Sequence, residues 1–341
     1  MTHFDPAALE SFLCANVPGF TGPMTSERFS GGRSNPTFRI DTPGGAYVLR
    51  GKPAGILQKS AHAIDREFRI MRALAETGFP VPRMLVYCDD ESVIGTEFYL
   101  MSHVPGEVLW DIAMPGLTSE QRARAFDSVN ATIAQFHRLS PAALGLDDFG
   151  RGGNYFERQI ARWSKQYLAL ATEQVDDMDR LIAWLTATDL PASEETLVHG
   201  DFSFHNVLID PGTGDVAAVI DWELATIGHP LGDVMYHAME WYRPPDCDRR
   251  GTLLGRDLAA LGIPTLEDYL ALYCERAGRP PIENLAFHQA YNLFRMAAIA
   301  QGIVGRARQG QLPPETAAIY EPRIRPLAQA AWHYAREAGA I

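Results

Sequence analysis

Two short polar clusters flank a strand-like segment near the middle of this chain. The first is HGDFSFHN, which contains Asp201 and Asn206, and the second is IDWE, which contains Asp221. The runs around them are apolar and typical of buried strands. A polar group that is buried without a partner costs roughly 1–3 kcal/mol, and an ionised group costs more. A compensating group is therefore expected beside these three residues.

The segment between the clusters predicts a β-hairpin. VLID and VAAVI read as strands, and the PGTG between them is a turn signal. Since the ends of an antiparallel pair meet, Asp201, Asn206 and Asp221 are expected to be neighbours. Carboxylate and amide oxygens suit Mg²⁺, which takes one or two carboxylates together with phosphate oxygens. A carboxylate that is not a ligand can orient or deprotonate a hydroxyl, as in kinase-type phosphoryl transfer.

The elements that position these residues fall into two parts. Before residue 104 the pattern predicts a five-stranded sheet that carries one helix, over 61–77. The predicted strands are 27–30, 37–41, 46–50, 83–88 and 97–104. Pro105-Gly106 then interrupts the pattern. This break predicts an N-terminal lobe of residues 1–104 and a C-terminal lobe of residues 105–341.

Helices dominate the second part, apart from the hairpin. The first runs over about 119–139, where Thr118 and Gln121 form a candidate capping box. Further helices are predicted over about 155–171, 176–187, 266–276, 283–307 and 314–337. The sequence thus predicts an α+β chain with a mostly helical second lobe.

Composition narrows the class of protein. The chain has 341 residues, 46% apolar residues and a formal net charge of −12, which argues against nucleic-acid binding. Its four cysteines lie far apart and fit a reducing compartment. With neither a signal peptide nor an apolar run long enough for a membrane span in the sequence, a cytoplasmic protein with no membrane partner is expected. The oligomeric state is left open.

The motifs resemble a known family. HGDFSFHN is similar to the H-x-D-x-x-x-x-N catalytic loop, and IDWE stands in the place of the D-F-G segment. Together with the order of elements over about 27–240, they resemble the aminoglycoside phosphotransferase and choline kinase branch of the protein-kinase-like fold. YVLRGKP, SAHAIDREFRIMRAL and IDWELATIGHPLGD narrow the resemblance to the group related to the domain fused to some acyl-CoA dehydrogenases.

The resemblance implies a bilobal fold and a small-molecule kinase that uses ATP and Mg²⁺. It makes Asp201 the catalytic base or the group that orients the acceptor hydroxyl, and it makes Asn206 and Asp221 the metal ligands. It assigns nucleotide contacts to Gly31, Gly32, Arg33 and Ser34 over the phosphates, to Arg50 with its partner Glu67, and to Met101 through His103 at the adenine. Asp233 is expected to brace the catalytic loop.

Two residues depart from the kinase pattern. Arg50 stands where kinases have a lysine that contacts the phosphates. Arginine stays charged and can hold phosphate oxygens bidentately, so the role is compatible with it. Trp222-Glu223 replaces Phe-Gly after Asp221. Protein-kinase switching through that segment is therefore not implied.

Two alternatives remain open at this point. One is a nucleotide-binding pseudokinase, which the Arg50 departure favours slightly. The other is a metal-dependent hydrolase with His199, Asp201 and His205 on a transition metal, since H-x-D-x-x-x-H offers suitable ligands. The hydroxyl acceptor is equally open, between a hydroxylated acyl-CoA-type metabolite and an aminoglycoside-like compound.

Overall fold

A five-stranded antiparallel sheet forms the first part of the fold. The computed structural model describes residues 4–29, 35–53, 64–150, 152–245 and 247–341. The strands are β1 (Thr25–Arg28), β2 (Thr37–Thr42), β3 (Gly45–Gly51), β4 (Met84–Cys88) and β5 (Phe98–Ser102). Their order across the sheet is β1-β2-β3-β5-β4, with every neighbouring pair antiparallel. The predicted five strands are confirmed, with ends that differ by up to two residues.

A helix packs on each face of this sheet. Helix α1 (Pro6–Asn16), which the sequence reading missed, begins at Asp5, whose side chain accepts a hydrogen bond from the Ala7 amide. Its buried Leu9 and Leu13 pack in one cluster with apolar side chains of β2, β3 and β5. Helix α2 (Ile64–Ala75) covers the other face. The predicted start of α2 before Ile64 lies outside the described residues.

Helices build most of the remaining chain. They are α3 (Ser119–His137), α4 (Tyr155–Leu170), α5 (Asp176–Ala187), α6 (Pro230–His237), α7 (Leu258–Leu261), α8 (Leu266–Ala277), α9 (Leu285–Arg308) and α10 (Glu315–Glu337). The capping box of Thr118 and Gln121 is present at the start of α3. Helix α9 is buried along most of its length, between α4 and α10. The two short helices α6 and α7 were not predicted.

Four short strands lie among these helices and position the polar clusters. Strands β7 (Val207–Ile209) and β8 (Val216–Val219) form the predicted hairpin, in which Val207 faces Val219. Strand β6 (Thr196–Val198) pairs with β9 (Thr226–Gly228), which the sequence reading missed. The two pairings bring the β6–β7 loop, with Asp201, beside the β8–β9 loop, with Asp221.

The main apolar core extends from the sheet into the helices. Tyr99 and Met101 of the sheet belong to the same buried cluster as the cores of α3 and α9. Glu107, just after the predicted boundary, pairs with Ile209 at the end of β7. The division into lobes at residue 105 therefore stays a prediction. No helix within the described ranges is long and apolar enough to cross a membrane.

Candidate active site

The carboxylate of Asp201 lies in the β6–β7 loop, partly exposed and surrounded by hydrogen-bond donors. Asn206 donates from its side-chain nitrogen to the backbone oxygen of Asp201 at 2.9 Å and to Oδ2 at 3.0 Å. Burial alone would raise the pKa of Asp201. Interactions with His205 and the Tyr236 hydroxyl outweigh burial and hold that pKa well below its usual range. Asp201 is therefore ionised at neutral pH.

The loop that carries Asp201 is held by buried groups. Asp233, on α6, accepts the amide of His199 at 2.5 Å and the amide of Gly200 at 2.9 Å. The bracing role predicted for Asp233 is confirmed. From α9, Arg295 donates to the Gly200 carbonyl at 2.6 Å. Gly200 has φ +84°, and a Cβ there would lie 2.6 Å from the backbone oxygen of Leu224.

His199 has a structural role in this loop. Its ring is fully buried, Nε2 lies 3.0 Å from the carbonyl of Ile220, and Nδ1 accepts the amide of Asp201 at 3.2 Å. Trp222 packs against the ring with centroids 4.6 Å apart. Both ring nitrogens are thus occupied, so His199 has no lone pair to offer a metal. This geometry speaks against the hydrolase with His199, Asp201 and His205 as ligands.

Asp221 lies at the start of the β8–β9 loop, in the left-handed backbone region at φ +66°. The Ile220 amide donates to the Asn206 carbonyl at 2.9 Å, which fixes the two polar clusters side by side. The neighbourhood predicted from the hairpin is therefore present. Asp and Asn tolerate this backbone region better than most residues, which fits an acid at this turn.

Arg50 connects Asp221 to the sheet. One guanidinium nitrogen, Nη2, lies 2.7 Å from Asp221 Oδ1, 2.9 Å from Glu67 Oε1 and 3.4 Å from Glu223 Oε2. The pairing of Arg50 with Glu67 that the family resemblance implied is present. Tyr99, on β5, donates its hydroxyl to Glu67 Oε2 at 2.8 Å. Both oxygens of the buried Glu67 are therefore engaged.

Burial and charge act in opposite directions on this pair. Burial raises the pKa of Glu67 to about 7, although Arg50 and the Tyr99 hydroxyl favour its ionised form. Burial would lower the pKa of Arg50, but the carboxylates of Glu67 and Asp221 outweigh it and raise that pKa. Arg50 is therefore a permanent cation. Its buried Nε has no hydrogen-bond partner among the described residues.

Carboxylate oxygens gather at the same point. One oxygen each from Glu67, Asp221 and Glu223 lie within 4.8 Å of one another. Asn206, across the hairpin, uses its amide nitrogen on Asp201, so its amide oxygen is the atom it can offer a cation. The site therefore combines hard oxygen ligands with the fixed charge of Arg50.

The structure describes only some of the residues that are predicted to contact the nucleotide. Gly31, Gly32, Arg33 and Ser34 lie outside the described residues. Met101 is nearly buried in β5, opposite Val48 of β3. The amide of His103 donates to the Ala46 carbonyl at 3.3 Å, and its ring Nε2 lies 3.3 Å from Arg39. The adenine role of Met101 through His103 stays a prediction.

Four residues at the site were not named as site residues from the sequence. Glu223 is part of the IDWE motif and was readable there. Tyr99, Tyr236 and Arg295 lie on β5, α6 and α9, where an apolar pattern hides a single polar atom. No local signal distinguishes them from ordinary core residues.

A model of the phosphotransferase enzyme family matches residues 25–282. The match covers more than half of the chain, and the chain therefore belongs to this family. The predicted resemblance to this family is confirmed.

Individual relatives agree with this assignment. The chain is 43% identical to mouse acyl-CoA dehydrogenase family member 10 over 320 residues, which cover 94% of this chain and 30% of the relative. It thus spans less than a third of that protein. A putative aminoglycoside phosphotransferase from Ralstonia eutropha has 44% identity and a TM-score of 0.89, over 98% of this chain and 99% of that one.

More distant structures share the fold. A ternary complex of aminoglycoside phosphotransferase APH(4)-Ia with AMP-PNP and hygromycin B has 19% identity and a TM-score of 0.58, over 95% of this chain and 98% of that one. Together with the sheet and helices described above, these likenesses confirm the predicted α+β, protein-kinase-like fold.

Proposed function

We propose that this protein transfers the γ-phosphate of ATP, in the presence of Mg²⁺, to a hydroxyl group of a small molecule. The observation that carries the proposal is the ionised carboxylate of Asp201, held by Asn206 and placed beside Asp221 by the hairpin. The family supports phosphate transfer. The ternary complex of APH(4)-Ia, a protein of the same fold, contains AMP-PNP and hygromycin B, which supports a nucleotide donor and a small acceptor.

Asp201 is suited to act on the acceptor. Its depressed pKa makes it a weak base, so its main contribution is to orient the acceptor hydroxyl. It takes the hydroxyl proton as the new O–P bond forms and the bond to the β-phosphate oxygen breaks, which releases ADP. Asn206 restrains the carboxylate from one side, while Asp233 and Arg295 fix the loop behind it. Such positioning supplies much of the rate in phosphoryl transfer.

The residues present fit the nucleotide and its cation. Asp221 and the amide oxygen of Asn206 would hold Mg²⁺, and Glu223 adds a third oxygen nearby. The unpartnered Nε of Arg50 is a buried donor that a phosphate oxygen would satisfy. Mg²⁺, when bound, supplies the positive charge that neutralises the phosphates during transfer. Arg50 adds a second, permanent positive charge at the same place.

Two classes of acceptor are supported by different relatives. Similarity to an acyl-CoA dehydrogenase family member supports a hydroxylated acyl-CoA-type metabolite. Similarity to a putative aminoglycoside phosphotransferase supports an aminoglycoside-like compound. A panel that contains both classes, with amino alcohols and sugars, separates them.

The test is transfer of labelled phosphate from Mg-ATP to each member of this panel. Asp201→Asn keeps the size and polarity of the side chain but removes its charge, and it should abolish the transfer. The exposed Asp215, which pairs with Arg124 on the surface, provides the control Asp215→Asn, which should transfer as the unchanged protein does. The proposal is supported if labelled phosphate appears on one class of compound and if this transfer is lost in Asp201→Asn but not in Asp215→Asn.

The remaining outcomes are also informative. Binding of Mg-ATP without transfer to any hydroxyl would favour the pseudokinase. Failure to bind nucleotide would overturn the proposal.

A further inference from the structure

His205 lies between Asp201 and a second group of charged residues. Its Nε2 is 3.7 Å from Oδ2 of Asp201, and the hydroxyl oxygen of Ser203 lies 2.7 Å from its Nδ1 and 3.2 Å from its Nε2. Nη1 of Arg250 also contacts Nδ1. The His205 side chain is about one-fifth exposed, so these contacts lie at the edge of the site rather than in bulk solvent.

The partners of Nδ1 determine the tautomer of this ring. A guanidinium nitrogen can only donate, so the contact from Arg250 requires a lone pair on Nδ1. In the neutral ring the proton is then on Nε2. The atom that faces the carboxylate of Asp201 is therefore an N–H donor. At 3.7 Å the contact is longer than a hydrogen bond, which is common before the reactants are in place.

Arg250 is itself held in one orientation. The carboxylate of Asp248 accepts hydrogen bonds from its Nε at 2.9 Å and from its Nη2 at 2.5 Å, in a bidentate arrangement. Arg243, which is fully buried, lies 3.7 Å from the same carboxylate. The side chains of Arg250 and Asp248 are both nearly buried. Two nitrogens of the guanidinium are thus fixed on Asp248, and the third, Nη1, is directed at His205.

The indole ring of Trp110 lies beside the His205 ring. The two rings are close to parallel, with an angle of 19° and centroids 6.3 Å apart. Trp110 is 61% exposed, an unusual position for so large an apolar side chain. Trp110 also borders a cavity of about 370 Å³ that is lined mainly by residues 107–117, with Gln121 and Pro211.

We propose that Asp248, Arg250 and His205 form a relay that positions the carboxylate of Asp201. Arg250 fixes the tautomer of His205, and the Nε2–H of His205 then holds Oδ2 of Asp201, the same oxygen that accepts from Asn206. Two donors on one oxygen keep the carboxylate in a single orientation toward the acceptor hydroxyl. His205 and Arg250 are positioning residues in this scheme, and they do not touch the reacting atoms. The catalytic part of the inference rests on the proposed phosphotransferase function.

The first test does not require activity. Protein labelled with ¹⁵N-histidine gives separate long-range signals for protonated and unprotonated ring nitrogens, and His205→Gln identifies the signals of His205 among the ten histidines. We expect Nδ1 of His205 to be unprotonated and Nε2 to be protonated. Arg250→Gln should remove this preference, whereas Arg249→Gln, at the exposed neighbouring arginine, should not. A proton on Nδ1, or an unchanged signal in Arg250→Gln, would overturn the relay.

The second measurement follows the carboxylate. The ¹³C signal of the Asp201 side chain should shift in His205→Ala and return in His205→Gln, because the Gln amide offers an N–H near the position of Nε2. A signal that is unmoved in His205→Ala shows that His205 does not hold Asp201. Both spectra are recorded without nucleotide or acceptor, so they decide the relay even if no phosphate transfer is found.

With an acceptor from the panel, the kinetics give a third test. His205→Ala should lower kcat roughly 10- to 100-fold and leave the KM for ATP unchanged, since only the orientation of Asp201 is disturbed. His205→Gln should recover most of the rate. An equal loss in both variants, or a change confined to the KM of the acceptor, would mean that His205 binds the acceptor instead.

Discussion

Nη2 of Arg50 lies 2.7 Å from Oδ1 of Asp221, so a residue of strand β3 is joined to the loop after strand β8, 171 positions later in the chain. The same nitrogen contacts Glu67 on α2. The sheet, its helix and the catalytic hairpin therefore meet at one guanidinium group. Removing that group should affect both stability and the use of nucleotide.

Arg50→Met keeps an unbranched side chain that reaches as far as Nε but removes the charged end of the guanidinium group. The buried Glu67 would then lack its cation, and breaking such a pair costs about 3–5 kcal/mol when the partner remains ionised. The pKa of Glu67 is raised from 4.5 to about 7, and loss of Arg50 raises it further. We therefore expect Arg50→Met to lose about 3 kcal/mol of stability at pH 8 and clearly less at pH 6, where Glu67 becomes protonated.

The raised pKa of Glu67 determines how its contribution to stability changes with pH. A carboxyl group with a raised pKa in the folded state contributes stability that is complete below its unfolded pKa and is lost as pH rises through the folded pKa. Urea unfolding of both proteins at pH 6 and pH 8 measures the difference. Arg39→Met removes an exposed arginine from a surface pair with Asp41 and should cost little at either pH. An equal cost of Arg50→Met at both values would contradict the protonation of Glu67.

Asp233→Asn tests the support of the catalytic loop. One carboxylate oxygen that now accepts from the amide of His199 or Gly200 would become an N–H₂ group that faces another donor. The loss of stability should be about 2–3 kcal/mol, the cost of a buried donor without its acceptor. The rate of phosphate transfer should fall by more than this loss of stability would cause. Asp201 directly follows the two residues whose amides lose an acceptor, so its position is disturbed even while the protein stays folded.

Hydrogen exchange of the His199 and Gly200 amides, together with thermal unfolding, checks this prediction. Both amides should exchange faster in Asp233→Asn than in the unchanged protein. Slow exchange at both amides would show that other groups hold the loop.

The chain pattern predicted the sheet, the hairpin and most helices because each has a local signal. Apolar periodicity marks α3 and α9, and the PGTG turn marks the hairpin that brings Asp201 and Asp221 together. The contact of Arg50 with Glu67 came from resemblance to kinases, not from periodicity. Its additional contact with Asp221 depends on how the sheet meets the hairpin, which no local pattern encodes.

Long-range polar contacts account for what the sequence reading missed. The carbonyl of Gly200 is held by Arg295, 95 positions later, and Nδ1 of His205 is contacted by Arg250, 45 positions later. In the sequence, such an arginine cannot be distinguished from any other charged residue of a helix or loop, because its partner comes near it only when the chain folds. Strand β9 was missed for a related reason, since it has three residues and gains its pairing only from β6.

Gly200→Ala should disable the site without removing any functional group. The backbone of Gly200 has φ +84°, which alanine adopts only with strain, and the added Cβ would lie 2.6 Å from the Leu224 carbonyl oxygen. The loop must shift, so we expect a loss of about 2 kcal/mol or more in stability and little remaining transfer. Gly278→Ala is the matched control, since φ is +66° but no atom lies near the added Cβ.

Unfolding and labelled transfer measured on both glycine variants separate the two causes. If Gly278→Ala costs as much stability as Gly200→Ala, backbone conformation alone explains the effect. A larger loss at Gly200 shows that the close approach of the loop to Leu224 is what requires glycine.

His288→Gln should flatten the acid side of the stability curve. His288 on α9 is buried, and burial, with the charges of His229 and Arg279, lowers its pKa from 6.5 to about 3. The pKa of His237 is also lowered to about 3 by burial, and that of His229 to about 4. A group with a depressed pKa contributes stability above its unfolded pKa and loses it as pH falls, so the protein should weaken from about pH 6.5 downward.

Each such histidine contributes a slope of up to about 1.4 kcal/mol per pH unit, because the unfolded chain binds one more proton than the folded chain. Glu67 acts in the opposite direction between pH 7 and 4.5, so the total slope of the unchanged protein is smaller than the sum over the three histidines. Glu67 contributes equally to the unchanged protein and to His288→Gln, so its contribution cancels when the two slopes are compared. Urea unfolding at pH 6.0, 5.25 and 4.5 should give a slope smaller by about 1.4 kcal/mol per unit in the variant. His333→Gln, at an exposed histidine of α10, should leave the slope unchanged, and equal slopes in His288→Gln and the unchanged protein would mean that His288 is protonated while folded.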